Sequence, residues 1–409
     1  MSTAGGRPDP GWPGIAFLFP GEGSVQPGAG RPWRDHPSWT VVERLSDQID
    51  VDLADLLLHA PAEQLRRVES AHHAAVALGL LLWDALARSE VRPSLCLGHG
   101  VGEYVALTAG GALGLDALAA VVAARGTALA EVAERRPGTS SSVVGLDQDY
   151  VHGLCTMAAG QVWVTQHNAV RRVTVAGVPD AVAAVVGWAQ DAGADGITAL
   201  PVDAALHCPL VEPATTRLER ALSAVAWRAP VVPVISSLLA RPYPDHFEPQ
   251  SLLLAHLVSP LRWRHALTSA VRHGAAAFVQ LGGGLPGTRH ADMTPLPTVD
   301  LAVPDDLDFV NIVVRRQRQL HRQPQRPEPA GEVLTVAERL VVSPVAGRFV
   351  ASGPVFSEAG VGTEVRAGQR FGRVGESDVR SMFSGQLMGL LARPGERVTV
   401  GQPIAWIRT

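Results

Sequence analysis

The chain has 409 residues, a net charge of -4 and no lysine, so all 35 of its basic residues are arginines. A composition of 46% hydrophobic and 18% charged residues is typical of two or three folded domains and excludes general disorder. The charge gives no basis for binding nucleic acid or a membrane surface, and the three cysteines match neither a disulfide framework nor a zinc pattern. We therefore expect a cytoplasmic protein without lysine-linked biotin, lipoate or Schiff-base chemistry.

The first long segment has the alternating pattern of an α/β domain. Residues 1–13 lack the basic start and apolar core of a targeting signal and are expected to be disordered. From residue 14 to 312, strand-like apolar runs alternate with helical ones, which predicts a largely parallel sheet. Ile15 to Phe19 is predicted to be a buried strand, and Ala71 to Arg88 a mostly buried helix. Leu95 to Leu97 is predicted to be a second strand that leads directly into a long helix.

Three later segments have different patterns. Two strand-helix units predict a small α+β subdomain at about residues 139–203, and residues 313–338, rich in Arg, Gln and Pro, predict a semi-extended linker. Residues 339–409 contain an internal repeat, because the segment that begins at Ser343 returns at Ser381 and a glycine-bounded turn occurs twice. Short repeated strands of this kind predict a small all-β sandwich with pseudo-two-fold symmetry.

The segment after the second strand has the pattern of a nucleophile elbow. A strand leads directly into Gly98-His99-Gly100-Val101-Gly102-Glu103 and then into a helix. Such a turn holds one side chain above the sheet, where a neighbouring helix amide stabilises an oxyanion. The central residue is Gly100, so the sequence predicts an elbow without a nucleophile.

This elbow resembles the Gly-His-Ser-X-Gly-Glu motif of the malonyl-CoA:acyl carrier protein transacylase family, which includes the acyltransferase domains of polyketide synthases. Six further segments match the family in order: Phe19 to Ser24, Arg125-Gly126, Gln166 to Asn168, Ala205 to Leu210, Leu254 to Trp263 and Leu281 to Gly284. The resemblance covers residues 15 to about 290. It implies an acyltransferase fold with a hydrolase-like parallel core and a ferredoxin-like subdomain.

The resemblance also implies roles for particular residues. His207 corresponds to the catalytic base, and the backbone near His256 orients it. Arg125 corresponds to the arginine that holds the carboxylate of a malonyl group. The other implied site residues are the oxyanion-hole positions Glu22, where glutamine is usual, and Val101, and the substrate-binding residues His99, Asn168 and His72. No metal site is expected, because the histidines have no close ligand spacing.

Two functional hypotheses follow from Gly100. In the family, a serine takes the acyl group from a thioester of CoA and passes it to an acyl carrier protein. The first hypothesis keeps chemistry on malonyl-type thioesters in polyketide or fatty-acid-type synthesis, through direct transfer, hydrolysis or decarboxylation assisted by His207. The alternative is an inactive pseudo-acyltransferase that binds the carrier protein or serves as a scaffold. Cys208 follows His207, but nothing in the sequence directs it towards the elbow.

Residues 339–409 resemble biotin carboxyl carrier and lipoyl domains through their Ser-Pro-X-X-Gly opening and quasi-symmetric halves. Arg373 to Val379 occupies the place of the hairpin that carries the modified lysine in those domains, and it contains no lysine. The resemblance therefore implies a module that cannot be biotinylated or lipoylated. We expect it to dock to a synthase or to another copy. The alternative is a lid or a module that recognises the thioester arm.

Overall fold

The computed structural model describes residues 14–158, 161–244, 248–282, 296–322, 338–352 and 362–408. The segment predicted to be disordered, residues 1–13, lies outside these ranges, as do Gly283 and Gly284 of the predicted glycine turn. The described residues form two compact units, one ending at residue 322 and the other beginning at residue 338. Each unit has its own hydrophobic core.

The first unit is built on a six-stranded sheet that is parallel except at one edge. The strands of this unit are β1 (Ile15–Phe19), β2 (Leu95–Gly98), β3 (Thr139–Val144), β4 (Val162–Ala169), β5 (Arg172–Gly177), β6 (Gly196–Ala199), β7 (Val234–Ser236), β8 (Arg241–Pro242), β9 (Ala277–Leu281) and β10 (Thr298–Leu301). The sheet order is β10-β9-β1-β2-β7-β8, and β8 alone is antiparallel to its neighbour. The wholly apolar β1 is buried on both faces, as expected of a central parallel strand. Because Phe19 pairs with Gly98, the loops that follow β1 and β2 leave the sheet side by side.

The helices of this unit cover both faces of this sheet or pack on the subdomain described below. They are α1 (Thr40–Ile49), α2 (Leu53–Leu58), α3 (Ala62–Arg66), α4 (Val68–Arg88), α5 (Gly102–Ala109), α6 (Leu115–Arg135), α7 (Gln148–Met157), α8 (Pro179–Asp191), α9 (Thr215–Ser223), α10 (Pro249–Val258), α11 (Trp263–Arg272) and α12 (Asp306–Arg322). Among the described helices, only α4 is long and apolar enough to cross a membrane, and most of it is buried in the core. The single long helix predicted after the elbow was wrong. Two helices follow, because Gly110 and Gly111, the latter at φ 84°, end α5.

The subdomain is an antiparallel sheet with the strand order β4-β5-β3-β6. Along the chain its elements follow the order β3, α7, β4, β5, α8, β6, and apolar residues of α7 and α8 pack on the sheet in a separate core. The structure therefore contains both predicted strand-helix units and adds two strands, β4 and β6, that the sequence pattern did not indicate.

The start of the predicted linker was also wrong. The helix α12 includes the predicted domain limit at residue 312 and the residues 313–322 that were assigned to the linker. It forms because Val310 and Val314, one turn apart, are buried against the core of the first unit. The remainder of the predicted linker, residues 323–337, lies outside the described residues.

The second unit is all β. Its strands are β11 (Glu338–Val342), β12 (Gly347–Ala351), β13 (Glu364–Val365), β14 (Arg370–Val374), β15 (Ser377–Arg380), β16 (Gly385–Leu390), β17 (Arg397–Val398) and β18 (Pro403–Arg408). They form two four-stranded antiparallel sheets, in the orders β11-β18-β16-β13 and β15-β14-β12-β17. The internal repeat is preserved in the hydrogen bonds. Buried Ser343 donates through Oγ to the Val345 carbonyl (2.7 Å), and buried Ser381 donates likewise to Phe383 (2.6 Å).

We expect the elbow to tolerate no added methyl group at Gly102. A Cβ there would lie less than 3.0 Å from the Phe19 and Pro20 carbonyl oxygens, which are backbone atoms that cannot move aside. Gly102→Ala should therefore lower the free energy of unfolding by about 2–4 kcal/mol. Gly153→Ala, on α7 with open space around its position, should raise it by roughly 0.5–1 kcal/mol. Urea unfolding followed by circular dichroism measures both changes, and equal effects would contradict the tight elbow.

Candidate active site

The elbow between β2 and α5 has the sharp geometry expected from the sequence. Gly100 has a φ of 53°, in the left-handed region, and α5 begins two residues later. The loop after β1 runs alongside, because the His99 amide donates to the Phe19 carbonyl (2.9 Å). This contact brings Glu22, on that loop, to the position where a nucleophile's side chain would lie.

Glu22 fills the space that Gly100 leaves. A Cβ built on Gly100 would lie less than 3.0 Å from Glu22 Oε2, which is closer than real Cβ contacts. The same Oε2 accepts a hydrogen bond from the Val101 amide (3.1 Å), the donor expected to stabilise an oxyanion. The other oxygen, Oε1, accepts from Arg125 Nη1 at 2.6 Å. One internal carboxylate therefore bridges the oxyanion amide and the arginine predicted to hold a substrate carboxylate.

The Glu22–Arg125 ion pair is almost fully excluded from water. The two side chains are 4% and 1% exposed. Burial alone would raise the pKa of Glu22, but the Arg125 charge outweighs it, so this pKa lies well below its usual range. The carboxylate is ionised at neutral pH. Arg125 Nε and Nη2 are also buried, and they have no hydrogen-bond partner among the described residues.

His72 supports the arginine as a neutral ring. Its Nε2 lies 3.1 Å from the Val122 carbonyl and donates to it, so Nδ1 carries no proton and accepts from Arg125 Nη1 at 2.7 Å. The 3.6 Å separation between His72 Nδ1 and Glu22 Oε1 is then not a hydrogen bond. Burial, followed by the Arg125 charge, lowers the pKa of His72 to about 3.

His207 faces the elbow as predicted. Its Nδ1 donates to the His256 carbonyl at 2.8 Å, so in the neutral ring Nε2 carries no proton, and this atom lies 3.5 Å from the Cβ position on Gly100. The residue has a φ of 61°, a left-handed conformation uncommon outside glycine. Burial, followed by the neighbouring His256, lowers the pKa of His207 to about 3. The ring is thus correctly oriented as a base, yet its basicity is low.

A buried polar network behind His207 was not predicted. The side chain of His256 contacts the glutamate at the end of the elbow motif, with Nε2 3.3 Å from Glu103 Oε2. Glu103 also accepts from the Ser237 amide (3.0 Å) and the Tyr243 hydroxyl (2.6 Å). Burial alone would raise the pKa of Glu103, but His256 and these hydrogen bonds lower it to about 2. The sequence signal was the glutamate that ends the elbow motif, since a carboxylate at the start of a buried helix needs partners.

The remaining predicted site residues lie beside the elbow rather than at its centre. The ring of His99 is buried edge-on against Trp263, at a centroid distance of 5.3 Å, and burial lowers its pKa to about 4. Asn168 donates to Gln166 Oε1 at 3.1 Å. Cys208 is buried and its thiol contacts the Ala205 carbonyl, while burial raises its pKa to about 11. Cys208 therefore does not replace the missing nucleophile.

A cavity of about 590 Å³ opens beside His207, between the subdomain and the parallel-sheet core. Its walls are formed by α7, β4 and the segments after His207 and α10, with His152, Trp163, Pro209 and Val258 among the lining residues. In the part of the chain that the structure describes, no group of three or more potential metal ligands was found.

Comparisons with known proteins agree with the resemblance seen in the sequence. Residues 16–283 match the family described as the acyl transferase domain. The malonyl CoA-acyl carrier protein transacylase of Bacillus subtilis is 26% identical over 304 residues, covering 72% of this chain and 95% of that protein. The structure of the malonyl-CoA:acyl carrier protein transacylase of Xanthomonas oryzae is similar with a TM-score of 0.69 and 28% identity, covering 73% and 98% of the two chains.

A second similar structure is that of a type II PKS acyl-carrier protein in complex with its malonyl-transacylase. It has a TM-score of 0.67 and 25% identity, and the match covers 72% of this chain and 97% of that one. The family match at residues 16–283 ends before the second unit begins.

The three buried, neutral histidines predict that stability falls as the pH falls. The pKa values of His72, His99 and His207 are lowered to about 3, about 4 and about 3. Below about pH 6.5, these rings therefore become protonated in the unfolded chain while they stay neutral in the folded chain. Each ring should change the unfolding equilibrium by about tenfold per pH unit between roughly pH 6 and pH 4. Urea unfolding across this range should show a shallower slope for His207→Gln than for the native chain. His59→Gln, which alters an exposed residue, is the control, and equal slopes for all three proteins would contradict the prediction.

Proposed function

The chain belongs to the acyl transferase domain family, and we propose that it binds acyl thioesters carried by an acyl carrier protein without forming an acyl-enzyme. The similar proteins support this partner, because they are malonyl-CoA:acyl carrier protein transacylases and one of them is in complex with an acyl-carrier protein. A relative described as a polyketide biosynthesis protein is 28% identical over 273 residues, which cover 66% of this chain and 23% of that protein, and it supports a place in polyketide or fatty-acid-type synthesis.

The observation that carries the proposal is the position of Glu22. In serine hydrolases, loss of the nucleophile lowers turnover on the order of a million-fold, and the residual rate comes from the oxyanion hole and substrate binding. Here Gly100 supplies no nucleophile, and the carboxylate of Glu22 already accepts from the Val101 amide. A bound thioester therefore finds no nucleophile at residue 100 and no free amide donor at Val101. This favours a pseudo-acyltransferase that recognises carrier-bound thioesters as a binding or scaffold component.

A second candidate, direct catalysis, is favoured by the anchored orientation of His207. Its Nε2 could accept the proton of a thiol or a water whose sulfur or oxygen then attacks the thioester carbonyl. The carbon–sulfur bond to the original carrier would break, and the departing thiolate would take the proton back from His207. Decarboxylation of a malonyl thioester would instead need a donor for the enolate oxygen. Both reactions require Glu22 to leave the Val101 amide, and the low pKa of His207 weakens the base.

We propose that the second unit is a docking module of the biotinyl/lipoyl-like type that carries no covalent cofactor. Its two antiparallel sheets and its internal repeat support this assignment. The segment that the resemblance assigns to the modified lysine forms the hairpin of β14 and β15, with Gly375 at φ 60° in its turn. Its sequence contains no lysine, so this hairpin acts by contacting another molecule and not by carrying a lysine-linked cofactor.

Restoring an acyl-enzyme should require two substitutions rather than one. Gly100→Ser alone introduces a Cβ that collides with Glu22 Oε2 and leaves the Val101 amide engaged, so we expect no acylation. The double variant Gly100→Ser with Glu22→Gln removes the charge and lets the side chain move away. Intact-protein mass spectrometry after incubation with malonyl-CoA should detect one added malonyl group on the double variant, and no mass change on the native chain or on Glu22→Gln.

The control for this experiment is His207→Ala in the double variant, which should lose the added mass because the serine then has no base. Native chain that loads a holo carrier protein with malonyl without itself gaining mass would favour direct catalysis. Acylation of Gly100→Ser alone, at the rate of the double variant, would contradict the proposed block by Glu22.

A further inference from the structure

Glu22 uses the two groups that would otherwise receive a carboxylated acyl thioester. Its Oε2 accepts from the Val101 amide at 3.1 Å, where the thioester oxygen would be bound, and its Oε1 accepts from Arg125 Nη1 at 2.6 Å. The chain therefore supplies its own carboxylate to the arginine that the family resemblance assigns to the carboxylate of a malonyl group.

The charges around this position are balanced only as long as no second anion enters. Glu22 contributes one negative charge and Arg125 one positive charge, and both side chains are buried. His72 adds no charge, because its Nδ1 accepts from Arg125, and His207 adds none, because its Nδ1 donates to a carbonyl while Nε2 is unprotonated. A malonyl carboxylate beside Arg125 would leave one buried negative charge without a partner, next to Glu22.

Glu22 also competes with a substrate from a favourable position. It belongs to the same chain as Arg125, and its loop is fixed by the contact of Phe19 with His99 and by the Ser24 hydroxyl bond to Gly21 (2.7 Å). Because Glu22 is part of the same chain, the effective concentration of its carboxylate near Arg125 is at least in the millimolar range. A carrier-bound malonyl group reaches Arg125 only at the concentration of its carrier protein. Displacing Glu22 would also force its ionised carboxylate to a new environment.

An uncharged acyl group avoids the charge penalty, because it leaves the Glu22–Arg125 ion pair in place. The Val101 amide stays occupied by Glu22, as it does for every thioester. The uncharged group adds no charge beside Glu22, and a carbonyl oxygen is a suitable acceptor for Arg125 Nε and Nη2, which are buried and have no hydrogen-bond partner within the described part of the chain. The cavity of about 590 Å³ beside His207 offers room for the thioester arm.

We propose that Glu22 makes this site selective for thioesters of uncharged acyl groups and excludes carboxylated ones such as malonyl. This inference rests on the proposed binding of carrier-bound thioesters and names the acyl class bound. Glu22 is thus a specificity-determining residue, and a glutamine at this position would leave Arg125 available to a substrate carboxylate.

Two acyl groups of nearly equal size and shape test the proposal. The acetoacetyl group ends in a methyl ketone where the malonyl group ends in a carboxylate, so the two groups differ mainly in charge. Carrier protein loaded with each group, and holo carrier protein without an acyl group, would be titrated into the full chain by isothermal calorimetry. We expect the native chain to bind the acetoacetyl form at least about tenfold more tightly than the malonyl form.

Glu22→Gln should reverse this preference, because it frees the Arg125 charge. Circular dichroism and thermal unfolding check that this variant is folded, and Glu219→Gln, an exposed residue on α9, should leave the native preference unchanged. The native chain alone also tests the selectivity. If it bound the malonyl form as tightly as the acetoacetyl form, the proposed selectivity would be overturned while carrier binding would stand. An unchanged preference in a folded Glu22→Gln variant would overturn the role of Glu22. Failure of every carrier form to bind would overturn both this inference and the proposed function.

Discussion

The site depends on one buried ion pair. Glu22 and Arg125 are 103 residues apart in the sequence, and they are joined because the loop after β1 and the helix α6 both reach the elbow. Removing either partner would leave an uncompensated charge in a buried environment, at a cost of about 3–5 kcal/mol. The pair is therefore a structural necessity as much as a functional feature. Any ligand that uses Arg125 must either replace Glu22 or share the guanidinium with it.

The machinery around the absent nucleophile is otherwise retained. His207 keeps a backbone carbonyl on Nδ1, and the residue that supplies it, His256, is fixed by the buried carboxylate of Glu103. Such a network is costly to bury unless its members are paired. Its connection to Tyr243 and Ser237 ties the elbow helix to the loops after β7 and β8, so it stabilises the core whether or not chemistry takes place. Retention of His207 alone is thus weak support for catalysis.

The sequence could predict the backbone of the site but not the direction of its side chains. The strand, the glycines of the elbow and the buried helix α4 follow from apolar runs and small residues, which are local patterns. Arg125 and Glu22 were both assigned to the site, yet their mutual contact depends on a tertiary approach that no local pattern encodes. The Glu103 network has the same origin, because its partners come from distant segments. The error at residues 313–322 was of another kind, since exposed arginines on a helix, such as Arg315 and Arg316, have the composition of a linker.

Gly100 and Glu22 are best understood as one compatible pair. A side chain at residue 100 would collide with the carboxylate, and a carboxylate at residue 22 would oppose the oxyanion that a serine at residue 100 must create. A glycine at residue 100 therefore makes room for the Glu22 carboxylate, and a glutamate at residue 22 makes a serine at residue 100 unfavourable. Once the serine is absent, a glutamate gains two hydrogen bonds and an ion pair by occupying the space. The site of a serine acyltransferase is organised around a transient negative charge, whereas this site holds the permanent negative charge of Glu22. This difference in charge separates the two sites more than the loss of one hydroxyl group does.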